Sequence, residues 1–234
     1  MMTSLQAFPD TITAIVDDEE ILAEATGWEV EEAGFKPWLI VDGSFKQVSD
    51  LASYIAQNAQ YALCDHRLAH YGLANFPGSR LVAALYDLKI PSLLITQYTE
   101  IDADVSIRRY RRKIPVLLSR DEANASNIKK GIEDCVLELD GRVPSTRIPH
   151  RTLLNITNIT SESNEDVIDV IIPSWNRHKA VRLPTSLISQ ELHSALAVDS
   201  WLFAHVNTGA EKSDDLYFEQ FELAPELDDE DGLA

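Results

Sequence analysis

Apolar runs and amphipathic stretches alternate along residues 1–140 of the chain. The short apolar runs predict buried strands, and the stretches between them, each with one apolar stripe, predict helices. Because strands alternate with helices over short joins, this part is expected to form one parallel sheet with right-handed crossovers. The predicted strands are 11–17, 37–41, 61–65, 91–96 and 114–119, and the predicted helices are 19–33, 45–59, 79–88, 102–112 and 124–139.

The pattern changes after a segment that contains Pro144 and Pro149 and predicts a linker over residues 141–150. Beyond the linker, short apolar runs follow one another and predict a small β-rich domain over residues 151–225. We expect this domain to be an interaction module with its aromatic residues in the core. Its predicted strands are 152–159, 167–172, 179–183, 201–206 and 216–223, with one helix at 187–196. Residues 226–234 form an acidic tail that is expected to be disordered.

Composition excludes several classes of function. The 234 residues are 45% hydrophobic, which suffices for one core and a smaller second domain. No apolar run reaches the length of a membrane span and the first residues do not resemble a signal peptide, so no membrane is expected as a partner. The two cysteines, Cys64 and Cys135, lie on a predicted strand and a predicted helix, which indicates a reduced, cytoplasmic protein. The formal net charge of -18 argues against nucleic acid as a partner, because phosphate binding needs a basic surface.

Acidic residues stand at the ends of two predicted strands. Asp17 and Asp18 follow the first strand, and Asp65 ends the third. Open parallel sheets bind ligands at the carboxyl edge, so adjacent strands would bring these three carboxylates together there. Such a cluster is unfavourable unless a cation neutralises it, and carboxylate oxygens are ligands that Mg2+ prefers. The pattern therefore predicts a Mg2+ site, although each acid taken singly could equally be a solvated loop residue.

The order of the elements and the residues at the strand ends resemble a response-regulator receiver domain, the phosphoacceptor part of two-component signalling. The resemblance covers about residues 11–139. It rests on the motifs Val16-Asp17-Asp18-Glu19, Cys64-Asp65 and Pro91-Ser92-Leu93-Leu94-Ile95-Thr96. It implies an α/β fold, a flavodoxin-like doubly wound five-stranded parallel sheet, followed in this chain by the small β-rich domain.

The resemblance also implies a role for each site residue. Mg2+ would be held by Asp17, Asp18, Asp65 and the backbone carbonyl of Arg67. Asp65 would be the phosphoacceptor, because a carboxylate can take a phosphoryl group from a phosphohistidine. Thr96 would hydrogen-bond the new phosphoryl oxygen and be drawn inward, and that movement is the switch.

The family places a Lys at the end of the fifth strand, and here the chain departs from the pattern. The register places Arg120 at this position, where it would pair with the phosphoryl group. Lys113 is the rival, with Tyr110 three residues before it, but that choice leaves the fourth helix too short. Arginine keeps the positive charge and has a wider, planar head. In the favoured register, Leu117 stands where the family has its switch aromatic.

Two functions follow from these residues. The first is a signalling protein that accepts a phosphoryl group on Asp65 from a histidine kinase or phosphotransfer protein. It would lack a DNA-binding output and act through an effector protein or as a phosphate sink. The sequence is also compatible with a homodimer. The alternative is a phosphorylation-independent pseudo-receiver, a scaffold or adaptor, which the missing Lys and aromatic favour. A separate enzyme is not expected beyond self-catalysed phosphoryl transfer and dephosphorylation at Asp65, since no other catalytic motif is present.

Two further features carry weaker expectations. The basic run Arg108–Lys113 is either a docking face for an acidic partner or a solvated helix end. His66, next to Asp65, is expected to be a loop residue that shapes access to the site rather than a catalytic group.

Overall fold

The chain divides into two compact units at the segment that the sequence predicts as a linker. The computed structural model describes residues 11–97, 102–161 and 165–225, and the units are Met1–Pro144 and Ser145–Ala234. The predicted linker is not a single irregular segment, because a 3-10 turn spans Ser145–Arg147 and a strand begins at His150. The predicted acidic tail, 226–234, lies outside the described residues. Within the described ranges, no helix is long and apolar enough to cross a membrane.

Five parallel strands, connected by helices, form the sheet of the first unit. The strands are β1 (Ile12–Val16), β2 (Lys36–Ile40), β3 (Tyr61–Asp65), β4 (Ser92–Thr96) and β5 (Val116–Ser119), and the α-helices are α1 (Glu20–Glu32), α2 (Val48–Asn58), α3 (Gly78–Asp87) and α4 (Ala125–Leu139). Their order in the sheet is β2-β1-β3-β4-β5. This is the order of flavodoxin-like folds, so the predicted fold class is confirmed.

Buried residues on both faces of the sheet explain why its strands read as continuous apolar runs. Side chains alternate along a strand, so Val16 and Cys64 contribute to the core beneath α2 and α3. Ile15 and Leu63 contribute to the core on the other face, beneath α1 and α4. A sheet covered on both faces leaves only its edges accessible, which directs attention to the carboxyl edge.

The predicted fourth helix is wrong in type. Instead of one α-helix, the described part consists of a π-helical segment, Asp102–Ile107, followed by a 3-10 segment, Arg108–Lys113. In a 3-10 helix, residues three apart lie on the same side, and Arg108 and Arg111 are both buried. Both interpretations of the basic run, docking face and solvated helix end, are therefore wrong for these two arginines.

The second unit is one antiparallel sheet, as the prediction of a β-rich domain requires. Its strands are β6 (His150–Ser161), β7 (Asp166–Ile172), β8 (Asn176–Pro184), β9 (Trp201–Val206) and β10 (Phe218–Leu223), in the order β10-β9-β6-β7-β8. The predicted helix at 187–196 is wrong, because 3-10 turns at Thr185–Leu187 and Gln190–Ala195 take its place. The aromatic core prediction holds for Tyr217 and Phe218, whereas Trp201 is 43% exposed.

Candidate functional site

The predicted acidic residues meet at the carboxyl edge of the first sheet. β1 and β3 are neighbours with Val16 paired to Cys64, so the next residues, Asp17 and Asp65, follow side by side. Both carboxylates, and that of Asp18, are buried. All three line one cleft of about 240 Å³. The expectation that these strands are adjacent is therefore confirmed.

The carboxylate of Asp65 is held by two donors. The backbone N–H of Arg67 donates to Oδ2 at 2.6 Å, and Arg120 Nη2 donates to Oδ1 at 2.5 Å. Burial, and then the charge of Asp17, raise the pKa of Asp65 to about 6, although the Arg67 N–H and the Arg120 charge oppose the rise. Asp65 therefore remains largely ionised at neutral pH.

The two acids after β1 are anchored differently. Asp17 Oδ1 accepts from the backbone N–H of Glu19 at 3.0 Å, and Oδ2 accepts from Arg120 Nη2 at 2.9 Å. Burial raises the pKa of Asp17 in spite of the attraction of Arg120. Asp18 Oδ2 accepts from the backbone N–H of Tyr71 at 2.6 Å, which holds the loop after β3 against the end of β1.

Arg120, rather than Lys113, is brought to the carboxylates. It begins a 3-10 turn after β5 that is stabilised by a capping box between Ser119 and Glu122. Its Nη2 bonds both Asp17 and Asp65, while Lys113 forms an ion pair elsewhere, with Asp87 at 2.7 Å. The side chain of Arg120 is only 19% exposed, so its charge acts in a poorly solvated setting.

Thr96 is the last residue of β4 and lies at the same edge. It pairs with Ser119 in the sheet, and the preceding Ile95 pairs with Asp65. Thr96 is 1% exposed, and its hydroxyl has no hydrogen-bond partner within the described part of the chain. A buried hydroxyl without a partner is unfavourable, so this position suits an oxygen supplied by a ligand.

The residues at this edge have the side chains that a Mg2+ site needs, but their arrangement does not suit one. Carboxylate oxygens suit a hard cation. However, the Asp17 and Asp65 oxygens that converge are both bonded to one atom, Arg120 Nη2. Among residues 11–97, 102–161 and 165–225, no group of three or more metal-ligating side chains is placed to hold a metal. Arg67 contributes its N–H to Asp65, and a role for its carbonyl stays a prediction.

Two residues near the site have roles that sequence reasoning missed. Thr26, a buried residue of α1, accepts a hydrogen bond from Arg120 Nη1 at 3.2 Å. The sequence predicts a loop residue that shapes access at His66; in the structure it is buried, and its Nε2 lies 2.9 Å from Ser106 Oγ. Neither role has a local signal, because the partners are 94 and 40 residues apart in the chain.

Comparison with known proteins finds matches among solved structures. No family model matches the chain. No curated protein matches it. The matching solved structures include a response-regulator receiver domain from Clostridium thermocellum, which is 10% identical, with 56% of this chain and 97% of that chain covered and a TM-score of 0.42. A CheY-like receiver domain from Methanospirillum hungatei is 15% identical, with 56% and 98% covered and a TM-score of 0.41.

A third match has the same character. The receiver domain of a putative Luxo repressor protein from Vibrio parahaemolyticus is 15% identical, with 56% of this chain and 93% of that chain covered and a TM-score of 0.40. The chain is thus similar to receiver domains, the class that its strand-end motifs resemble. The fold assignment itself rests on the strand order β2-β1-β3-β4-β5.

Proposed function

We propose that the first unit is a phosphoacceptor of the response-regulator type. Asp65 accepts a phosphoryl group from the phosphohistidine of a histidine kinase or phosphotransfer protein. The observation that carries the proposal is a buried carboxylate at the end of a central strand with a guanidinium nitrogen 2.5 Å away. Thr96 supports it, because its buried hydroxyl has no other partner in the described residues.

In the proposed reaction, an oxygen of Asp65 forms a bond to phosphorus while the phosphorus–nitrogen bond of the phosphohistidine breaks. The imidazole of the donor keeps the electron pair of that bond. Arg120 neutralises charge on the transferred group, and the hydroxyl of Thr96 donates a hydrogen bond to one of the phosphoryl oxygens. No step is assigned to Mg2+, because Arg120 Nη2 already bonds both Asp17 and Asp65.

The second unit supports an output through protein contacts. Its described residues form one antiparallel sheet with 3-10 turns and no α-helix, so they present no recognition helix for a DNA groove. We propose that the chain works in the cytoplasm, without a DNA-binding output and without a separate enzyme activity. It passes its signal to an effector protein, or it acts as a phosphate sink that competes for a shared kinase.

A pseudo-receiver is the second candidate, and one observation favours it. Arg120 bonds Asp17 and Asp65 together, so part of the negative charge of the cluster is compensated within the protein. Leu117, in place of the switch aromatic, agrees with this alternative. In that case the unit would be a scaffold that regulates partners without phosphorylation.

Intact-protein mass spectrometry distinguishes the two candidates. The purified chain is incubated with acetyl phosphate and with a phosphorylated histidine phosphotransfer protein, each with and without Mg2+. The phosphoacceptor predicts an acid-stable, base-labile adduct that Asp65→Asn abolishes. Asp140→Asn serves as the control, because Asp140 is exposed and forms an ion pair with Arg142, two residues further along the chain. An unmodified wild-type chain under every condition would replace the phosphoacceptor with the pseudo-receiver.

A further inference from the structure

The guanidinium of Arg120 uses its two terminal nitrogens for different purposes. Nη2 donates to Asp17 Oδ2 at 2.9 Å and to Asp65 Oδ1 at 2.5 Å. Nη1 donates to the Thr26 hydroxyl at 3.2 Å. The planar head therefore spans from the carboxylates to α1, a distance that the single ammonium group of a lysine does not bridge.

We propose that Thr26 is a positioning residue that holds Arg120 across Asp17 and Asp65, so that the guanidinium excludes divalent cations from these carboxylates. This inference deepens the proposed function, on which its meaning for phosphoryl transfer rests. The exclusion itself is a binding property and can be measured without any phosphoryl donor.

The setting of Thr26 supports a specific role for its hydroxyl. The other buried residues of α1 are Ala23, Gly27 and Val30, so Thr26 contributes the polar side chain of this helix face. A hydroxyl on such a face is unfavourable unless it is bonded, and Arg120 supplies the bond. Valine would match the shape of Thr26, so the position gains from threonine only through the hydroxyl.

The hydrogen bonds of Arg120 show how the contact with Thr26 orients its guanidinium. Its Nε is buried and has no hydrogen-bond partner in the described part of the chain, so the terminal nitrogens orient the head. Without Thr26, Nη2 remains bonded, but the plane of the guanidinium is free to rotate about that contact. A divalent cation needs the same carboxylate oxygens and is repelled by the guanidinium, so a loosened Arg120 gives it access.

Isothermal titration of the full chain with MgCl2 tests this inference. Thr26→Val keeps the shape and removes the acceptor, and we expect it to lower the Mg2+ dissociation constant about tenfold, the effect of one charge-assisted hydrogen bond. Thr26→Ser restores an acceptor and should match the wild-type chain. Arg120→Gln, which removes the charge, should bind Mg2+ at least as tightly as Thr26→Val.

Three outcomes overturn the inference. Thr26→Val could bind Mg2+ with the same affinity as the wild-type chain, Thr26→Val and Thr26→Ser could change the affinity equally, or Arg120→Gln could bind Mg2+ more weakly than Thr26→Val. Circular dichroism verifies folding, and Thr26→Ala replaces Thr26→Val if the latter does not fold. Mass spectrometry of the Asp65 adduct reports separately on the proposed function. An adduct with unchanged Mg2+ affinities would retain the phosphoacceptor and reject the role of Thr26.

Discussion

Gly78 begins α3 so close to the end of β3 that no side chain fits at this position. A Cβ built on Gly78 would lie 1.8 Å from the backbone oxygen of Asp65 and 2.8 Å from its carbonyl carbon. Real Cβ atoms essentially never approach within 3.0 Å, so Gly78→Ala must displace backbone by more than about 1 Å. Backbone atoms cannot rotate away as the end of a flexible side chain can.

The change in stability that we expect for Gly78→Ala is opposite in sign to the change that helix propensity alone predicts. Alanine is favoured over glycine in a helix by up to about 1 kcal/mol, and Gly78 does not have the positive φ that would require glycine. We nevertheless expect Gly78→Ala to lower the free energy of unfolding by about 3 kcal/mol, because overpacking a rigid site costs this much. The shift should also disturb the 2.5 Å contact between Asp65 and Arg120, so labelling of Asp65 should fall.

Gly27 provides a matched control inside α1. A Cβ on Gly27 would meet Leu39 at 3.5 Å and Ile15 at 3.7 Å, which is ordinary contact. Gly27→Ala should therefore raise the free energy of unfolding by about 0.5–1 kcal/mol. Urea denaturation followed by far-UV circular dichroism compares both variants with the wild-type chain. Stabilisation by Gly78→Ala, or equal effects of the two substitutions, would refute the steric argument.

Other residues give further predictions. The pKa of Asp65 is raised from 3.8 to about 6, so the folded state binds more protons than the unfolded state in this range. The free energy of unfolding should therefore fall by about 2–3 kcal/mol as the pH rises from about 4 to about 6. Urea titrations across this range should show a flatter profile for Asp65→Asn, and identical profiles would contradict the shift. Thr96→Val removes a buried hydroxyl without a partner in the described residues, so it should stabilise the chain by about 1 kcal/mol and shorten the adduct lifetime; a loss of stability in the same titrations would argue against it. Asn207 is fully buried and bonds the backbone of Thr146, Asp215 and Tyr217, so Asn207→Ala should destabilise the second unit by roughly 2–4 kcal/mol, measured by tryptophan fluorescence, and a change below about 1 kcal/mol would refute this.

The sequence predicts the first sheet well, because its strands are buried on both faces. Apolar runs bounded by acids or turn residues locate such strands, and β3 is predicted without error at either end. The burial of residues in Arg108–Lys113 is not predictable in this way, because charged residues usually indicate a solvated face. Its 3-10 winding places Arg108 and Arg111 inside, and no periodicity in the sequence reveals that winding.

The residues of the candidate site also differ in how well the sequence locates them. Asp17, Asp65 and Thr96 are found from sequence because each stands at a strand end, and strand ends share one edge. Arg120 is found only by counting elements after Thr96. The sequence does not reveal Thr26, because its contact depends on how far the side chain of Arg120, after β5, reaches toward α1 rather than on any local pattern.

The contact between Thr26 and Arg120 also bears on how a signal leaves the site. The resemblance to receivers implies a switch that couples the hydroxyl at the end of β4 to an aromatic residue, and its favoured register aligns Leu117 with the aromatic position. Arg120 instead connects Asp65, at 2.5 Å, to the hydroxyl of Thr26, at 3.2 Å. A phosphoryl group on Asp65 adds negative charge and acceptor oxygens that attract the same guanidinium. Under the proposed function, phosphorylation therefore competes directly with the bond between Arg120 and Thr26, and this competition couples the site to α1.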